Sequence, residues 1–313
     1  MPVEISICIP AYKNTAHLQR LLDSIAMQTY RDFEIVITDD SPDDSVKLLA
    51  ETYSISQPLH YFKNQSRLGT PENWNESVRR ARGNWIKLMH NDDWFTSPAS
   101  LQSFYDTTLA YPQYAFFFSA FQNIIENTGN KQVVTCNGFD LFFLRLSAFH
   151  LFKRVYVGNP SCTLIRRDID LFYDNRFKFV VDFEFYIRCF RKLGGYRYID
   201  EILLNIGFHD EQVTKYTFRV PEVQIPENLI MLEKFGTGIL KNPVVYDYYW
   251  RMFRNLSIRS EDQARQYYSG NIPPPLKQMI RFQSGLSPRL LKVGIFSKLL
   301  MSFHYFLSLF KSH

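Results

Sequence analysis

The chain has 313 residues, 46% of them hydrophobic and 16% aromatic, with a formal net charge of +5; that apolar content excludes a disordered chain and suits one large domain or a domain with a substantial appendage. Its four cysteines, Cys8, Cys136, Cys162 and Cys189, are widely spaced with no CxxC pair, which argues against a zinc site or a disulfide framework and for a reducing compartment. The positive excess lies in the tail, because seven of the 36 basic residues and none of the 31 acidic ones follow Asp262.

In chain order, "MPVEISICIP" has no basic region ahead of a long apolar core and enters an alternating strand directly, so no signal peptide is expected and the protein is expected in the cytoplasm. Ile5, Ile7 and Ile9 share one face of that strand, and Leu18, Leu21, Leu22 and Ile25 then recur at helical spacing. "FEIVIT" reads as a short buried strand ended by the turn cluster "DDSPDDS", with "VKLLAETY" helical after it. "LHYFK" is a third strand, the segment around Trp74, Val78 and Ala81 a helix, and "WIKLM" a fourth strand. This alternation predicts a mostly parallel sheet with helices on both faces. Beyond Ser97 the pattern loosens to apolar stretches at "AFFFSAF" and "SCTLIRR", a helix-like "DFEFYIRCFRKL" and a strand-like "YRYIDEILLNIGF". From about Pro221 onward it reads as helices.

In such sheets ligands bind beyond the carboxyl ends of the strands. The polar clusters fall there: Pro10 to Asn14, Asp39 and Asp40, Asn64 to Gly69, and the adjacent acids Asp92 and Asp93. Two neighbouring carboxylates at the end of a buried strand repel unless a cation or donors offset the cost, and a divalent metal is the simplest such cation. No GxxxxGK or GxGxxG loop is present to cradle a phosphate, so a nucleotide bound here calls for a metal.

These residues resemble the inverting, nucleotide-sugar-dependent glycosyltransferases of family 2, which have the GT-A fold. The match runs from roughly Ile5 to Thr214 through "SICIPAYKN", "IVITDDSPDDS", "NQSRLGTPENWN" and "HNDDW", four motifs in order at four strand ends. The resemblance implies a catalytic domain over 1–215 and a helical region over 216–313. By the same resemblance Pro10, Ala11 and Tyr12 line the base pocket, with Asn14 beside them, and Asp39 accepts from the ring N–H of a uracil or thymine. Arg67 reaches the diphosphate, Asn73 contacts the nucleotide, Asp92 binds the ribose or the metal's hydration shell, and Asp93 holds Mn²⁺ or Mg²⁺. "GFHDEQVT" is similar to the family's later histidine motif and makes His209 a further ligand, ahead of His90, which stands where many relatives carry another aspartate. "FVVDFEFYIRCF" matches the place of the catalytic base and assigns Asp182, although Val181 replaces the usual first acid of the pair; Glu184 is the reserve.

If the stretch 295–311 is helical, Ile295, Phe296, Leu299, Leu300, Phe303, Phe306, Leu307 and Phe310 share one face and Ser297, Lys298, His304, Tyr305 and Ser308 the other. With basic residues flanking it and no acid nearby, a helix over about 289–311 suits the surface of an anionic membrane, while Lys298, His304 and the serines argue against a membrane span. The alternative is a helix packed on protein. The resemblance implies a nucleotide-sugar donor and a glycan acceptor carried on a polyprenyl diphosphate, as is common among relatives, and the tail suits the inner face of the cell membrane; nucleic acid is not expected, because the basic residues form no dense patch. Two rival readings are a sugar-nucleotide nucleotidyltransferase and an inactive membrane-bound scaffold of the same fold. "PAYKNTAH", with one lysine and no glycine, speaks against the first.

Overall fold

The computed structural model describes residues 3–209 and 216–310, Phe310 by its backbone alone. The chain divides into two compact units, one of residues 1–145, 156–175 and 181–211, the other of 146–155, 176–180 and 212–313.

The first unit is built on a nine-stranded sheet. Its chain order is β1 (Ile5–Ala11), α1 (Thr15–Ala26), β2 (Phe33–Asp39), α2 (Ser45–Thr52), β3 (Leu59–Lys63), α3 (Glu72–Arg80), β4 (Trp85–Leu88), β5 (Trp94–Phe95), α4 (Ser100–Ala110), β6 (Phe116–Ile125), β7 (Asn130–Val134), α5 (Gly138–Leu146), β8 (Thr163–Arg166), α6 (Val181–Leu193) and β9 (Arg197–Phe208). The strands lie in the order β3-β2-β1-β4-β8-β6-β9-β5, with β7 beside β6. The first four are mutually parallel, as the alternating pattern predicts. The sheet is mixed beyond β4: β8 runs antiparallel to β4 and to β6, and β9 runs parallel to β6. Two reversals cancel, so β6 and β9 point the same way as β1 to β4, and six carboxyl ends share one rim.

β1 and β2 are buried along their whole length, as a sheet covered on both faces requires. The isoleucines of β1 pack on Leu18, Leu21, Leu22 and Ile25 of α1 in one core. On the opposite face the contacts are polar: the Ser6 hydroxyl donates to Glu34 (2.6 Å) and the Cys8 thiol to Ser77 O (3.5 Å). α3 accordingly buries Asn73, Asn75 and Ser77, while Trp74 and Val78, the residues that mark it as a helix in the sequence, are only half-buried.

The second unit is helical: α7 (Pro221–Phe235), α8 (Pro243–Asn255), α9 (Glu261–Arg265), α10 (Pro274–Ser284), α11 (Pro288–Lys292) and α12 (Gly294–Phe310). Proline opens α7, α8, α10 and α11, where its fixed φ favours the first turn and its missing N–H costs nothing. Glu227 of α7 is buried and accepts from the backbone N–H groups of Lys178, Phe179 and Val180 at 2.8–3.1 Å, which secures that short segment within the unit. Burial is the chief cause of its raised pKa, and the three N–H donors oppose it.

α12 packs with its polar face inward. Ser297, Met301 and His304 are buried, Ser297 accepting from the Trp250 indole (3.0 Å) and His304 Nδ1 sharing a hydrogen bond of 2.5 Å with the Tyr246 hydroxyl. Lys298 pairs with Asp247 at 3.0 Å. The apolar face is left open: Ile295, Phe296, Leu299, Phe303, Phe306 and Leu307 are 39–76% exposed. The side chain of Phe310, and Lys311, lie outside the described residues. Among the described residues no helix is long and apolar enough to cross a membrane.

Candidate active site

At the rim, Pro10 and Ala11 are buried at the end of β1 and Tyr12 stands just outside it. The Arg67 guanidinium lies over the Tyr12 ring at 4.4 Å, so the arginine assigned to a diphosphate rests on the residue assigned to the base pocket. Lys13 and Asn14 both adopt left-handed backbone (φ 51° and 43°). Asn14 caps α1, its side chain accepting from His17 N at 3.2 Å, which satisfies one of the free N–H groups of the first turn. Asp39 is fully buried, one oxygen accepting from Ser41 N (2.7 Å), the other from the Tyr61 hydroxyl (2.7 Å) and Lys63 Nζ (3.0 Å).

Asn73, expected to touch the nucleotide, is buried and spent on the loops. It donates to Ala11 O (3.3 Å) and Thr38 O (3.2 Å) and accepts from Asn64 (2.9 Å). Asp40 completes the bracing of the segment after β3, accepting from Asn64 Nδ2 (2.7 Å), Leu68 N (3.0 Å) and Gly69 N (2.7 Å). The sequence names Asp40 as a rim acid without giving it this task, which depends on where a loop some 25 residues downstream returns.

The adjacent acids have opposite surroundings. Asp93, assigned to the metal itself, turns inward: it is 1% exposed, with Oδ2 accepting from Asn159 (2.7 Å) and Ser161 (2.6 Å) and Oδ1 from Gly207 N (3.2 Å). Burial, then the neighbouring Asp92 charge, hold its carboxyl well above the usual range against those three donors. Asp92 turns outward and meets His209, Nε2 to Oδ2 3.0 Å. Burial works against its charge, yet the hydrogen bond from His209 and the two nearby imidazoles bring its pKa below the ordinary value. The pair therefore coexists by separation into an interior acid held by neutral donors and an outer one held by a histidine.

The meeting of Asp92 with His209 follows from topology, since β4 and β9 deliver their carboxyl ends to the same rim. The remainder of the "GFHDEQVT" motif, 210–214, lies outside the described residues. Gly207 has to be glycine, because a Cβ there would sit 2.6 Å from Asp92 O. Arg20 of α1 clasps the same loop, Nη2 donating to Asp92 O and to Glu126, each at 2.8 Å, with its guanidinium 3.7 Å over the Trp94 ring. Glu126 also faces His17 (3.4 Å), whose ring lies 4.8 Å from that of His209. Arg20, His17 and Glu126 are invisible to a motif search, being spread over α1 and the end of β6.

Lys87 is a further buried group that the sequence analysis did not single out. Its ammonium donates to Ser161 O and to Thr163 O (3.2 Å), fixing the segment that holds Asp93. Burial pulls its pKa down to about 7.

Ligand atoms of His90, Asp92 and Asp93 lie within 4.8 Å of one another, and His90 Nε2 is buried with no hydrogen-bond partner. Carboxylates beside an unsatisfied imidazole nitrogen form a donor set that fits a divalent ion. Asp182 stands in the first turn of α6, half-buried, with one oxygen accepting from Phe183 N (2.8 Å). Burial pushes its pKa up to about 6. Glu184, the reserve, is fully buried and gripped by Arg188 through two hydrogen bonds of 2.6 and 2.9 Å.

Residues 6–172, more than half of the chain, match the profile of glycosyl transferase family 2. The chain belongs to that family. A Campylobacter jejuni relative, GalNAc(5)-diNAcBac-PP-undecaprenol β-1,3-glucosyltransferase, is 28% identical over 98 residues, 31% of this chain and 32% of that one. Other curated relatives match at up to 38% identity over stretches of which this chain spans about 30% of the relative's own length. Among solved structures, S. aureus TarS (residues 1–349) in complex with UDP-GlcNAc superposes with a TM-score of 0.58 at 15% identity, over 90% of this chain and 88% of that one. The mannosyltransferase PcManGT of Pyrobaculum calidifontis, in complex with GDP-Man and Mn²⁺, gives 0.54 at 14% identity, over 99% and 87%. Likeness at such identities concerns the fold, and this family 2 chain has the GT-A fold that its motifs imply.

Proposed function

We propose that the protein is a metal-dependent inverting glycosyltransferase that moves a sugar from a UDP- or dTDP-sugar to a hydroxyl of a glycan, carried on a polyprenyl diphosphate at the inner membrane face, in the making of a bacterial surface polysaccharide. The observation that carries the reading is geometric: Asp92 meets His209 from another strand end, beside the unsatisfied imidazole of His90, and Asp182 has no cationic partner among its hydrogen bonds. Tyr12, Asp39 and Arg67 receive the nucleotide, and Asn14, Asn73 and Asp40 keep their loops in place. Asp92, Asp93 and His209 hold Mn²⁺ or Mg²⁺ with the diphosphate, and His90 lies within reach of the same ion. The ion, when bound, stabilises the charge that develops on the departing nucleoside diphosphate.

Asp182 takes the proton of the acceptor hydroxyl as its oxygen attacks the anomeric carbon from the side opposite the leaving diphosphate. The bond from that carbon to the diphosphate oxygen breaks, and the configuration inverts. A base with a pKa near 6 is ionised at neutral pH and still basic enough to assist. Glu184 is a poor base by comparison, because its charge is already committed to Arg188.

Membrane attachment rests on α12. Its polar side is satisfied by protein, its apolar side is open, and the chain after Asp262 carries only positive charge, which complements anionic lipid. The relative from Campylobacter, named for an undecaprenol-linked acceptor, agrees with this location. Asp182→Asn tests the enzyme reading: UDP binding in the presence of Mn²⁺ is retained and transfer is lost. An unchanged transfer rate would refute the role of Asp182. Absence of UDP binding by the wild-type protein would favour the scaffold.

A further inference from the structure

We infer that His90 tunes the metal centre of this chain toward transition-metal ions and away from magnesium. The inference rests on the proposal that the rim binds a divalent ion, and it concerns which ion.

His90 occupies the position two residues before Asp92, and its surroundings leave the ring nitrogens with nothing structural to do. Its backbone N donates to Ser161 Oγ at 2.9 Å and its ring packs on Trp74, centroids 4.7 Å apart, so the side chain is held from both ends. Neither support uses the ring nitrogens. Nε2 is buried without a partner, and Nδ1 lies 3.9 Å from Asp93 Oδ2, beyond hydrogen-bond length. A buried imidazole nitrogen is normally satisfied by protein or water. Here it is clustered with Asp92 and Asp93, their ligand atoms within 4.8 Å, a separation that small shifts convert into shared coordination, because ligands about 2.1 Å from one ion lie up to about 4 Å apart.

The chemistry of the donor then decides the ion. Magnesium takes oxygen ligands and keeps its waters, whereas an imidazole favours first-row transition ions, least at Mn²⁺ and increasingly through Co²⁺. Replacing a carboxylate by an imidazole also removes one negative charge from the site, which weakens a hard ion most. An aspartate at the same place would exchange that imidazole for an oxygen donor and leave the other ligands as they are.

The test uses the full chain. Mg²⁺, Mn²⁺ and Co²⁺ are titrated calorimetrically with UDP present, for the wild type and for His90→Asp and His90→Gln. Electron spin echo spectra of bound Mn²⁺ are recorded in a His209→Asn background with and without His90→Gln. The expected result is a preference for Mn²⁺ and Co²⁺ over Mg²⁺ that shrinks at least about tenfold in His90→Asp, and a coupled ¹⁴N signal in His209→Asn that His90→Gln removes. Equal selectivity in wild type and His90→Asp, or no ¹⁴N coupling in His209→Asn, would overturn the role of His90 while leaving the metal site intact. No binding of any of the three ions would overturn the proposed metal dependence itself. His90→Gln keeps the volume and a polar tip beside Trp74, so it reports on coordination where His90→Asp fails to fold.

Discussion

The strand-end rim of the first unit and α12 of the second both reverse the usual placement of polar and apolar groups. At the rim, charged groups are buried: Asp39, Asp93 and Lys87 are each 1% exposed or less. On α12 the polar residues face protein and a row of large apolar side chains faces out. Buried polar groups and exposed apolar patches are the informative departures from ordinary burial. The rim keeps its acids by supplying hydrogen bonds, Asp93 having three donors. α12 has no such internal compensation for its open face. The contrast teaches that the first reversal is offset by hydrogen bonds from the protein itself, while the apolar side chains of the second stay exposed among the described residues.

Perturbing each side separately sharpens the contrast. Asp182→Asn should give the largest effect, a loss of about 10²–10⁴-fold in kcat with UDP affinity unchanged, measured by steady-state kinetics and calorimetry. Asp92→Asn and Asp93→Asn should fail differently. The first should abolish metal-dependent UDP binding and leave the melting temperature nearly unchanged. The second should place an amide where Asn159, Ser161 and Gly207 donate, costing about 1–3 kcal/mol, seen as a lower urea midpoint.

Glu184→Gln should cost about 3–5 kcal/mol, because it strands the half-buried Arg188, with residual turnover per folded molecule close to wild type. On α12, Leu299→Glu or Phe303→Glu should weaken sedimentation with anionic liposomes with little change in melting temperature, since both side chains are more than half exposed. Liposome binding that survives both changes would assign the open face to a protein partner.

The smallest effect is on pH. Asp182 has a folded pKa of about 6 against an ordinary 3.8, so its protonated form is favoured on folding. The sign is that of a raised acid: its contribution to stability is complete below about 4 and falls away as pH rises through about 6. Activity runs the other way, and kcat/KM should rise with pH through about 6, a limb that Asp182→Asn removes.

The first four strands and their helices were legible because buried parallel strands and amphipathic helices each leave a strong period, and the rim motifs because turn residues and acids interrupt it. The direction of β6 and β9 was not legible, since a reversal at β8 leaves no local mark, and with it went the reason that Glu126 and His209 approach Asp92. The inward turn of Asp93 depends on Asn159 and Ser161, nearly 70 residues away, and no local signal distinguishes it from Asp92. The face division of α12 was legible, but not its orientation: period tells which residues share a side, whereas Trp250, Tyr246 and Asp247 decide which side faces protein.

The most direct test of the central claim is a calorimetric titration of the wild-type protein with UDP in Mn²⁺ and again in EDTA, repeated for Asp92→Asn. The account predicts UDP binding at least about tenfold tighter with Mn²⁺, a gain that Asp92→Asn erases. UDP binding of equal strength with and without Mn²⁺, or a gain that survives Asp92→Asn, would contradict it.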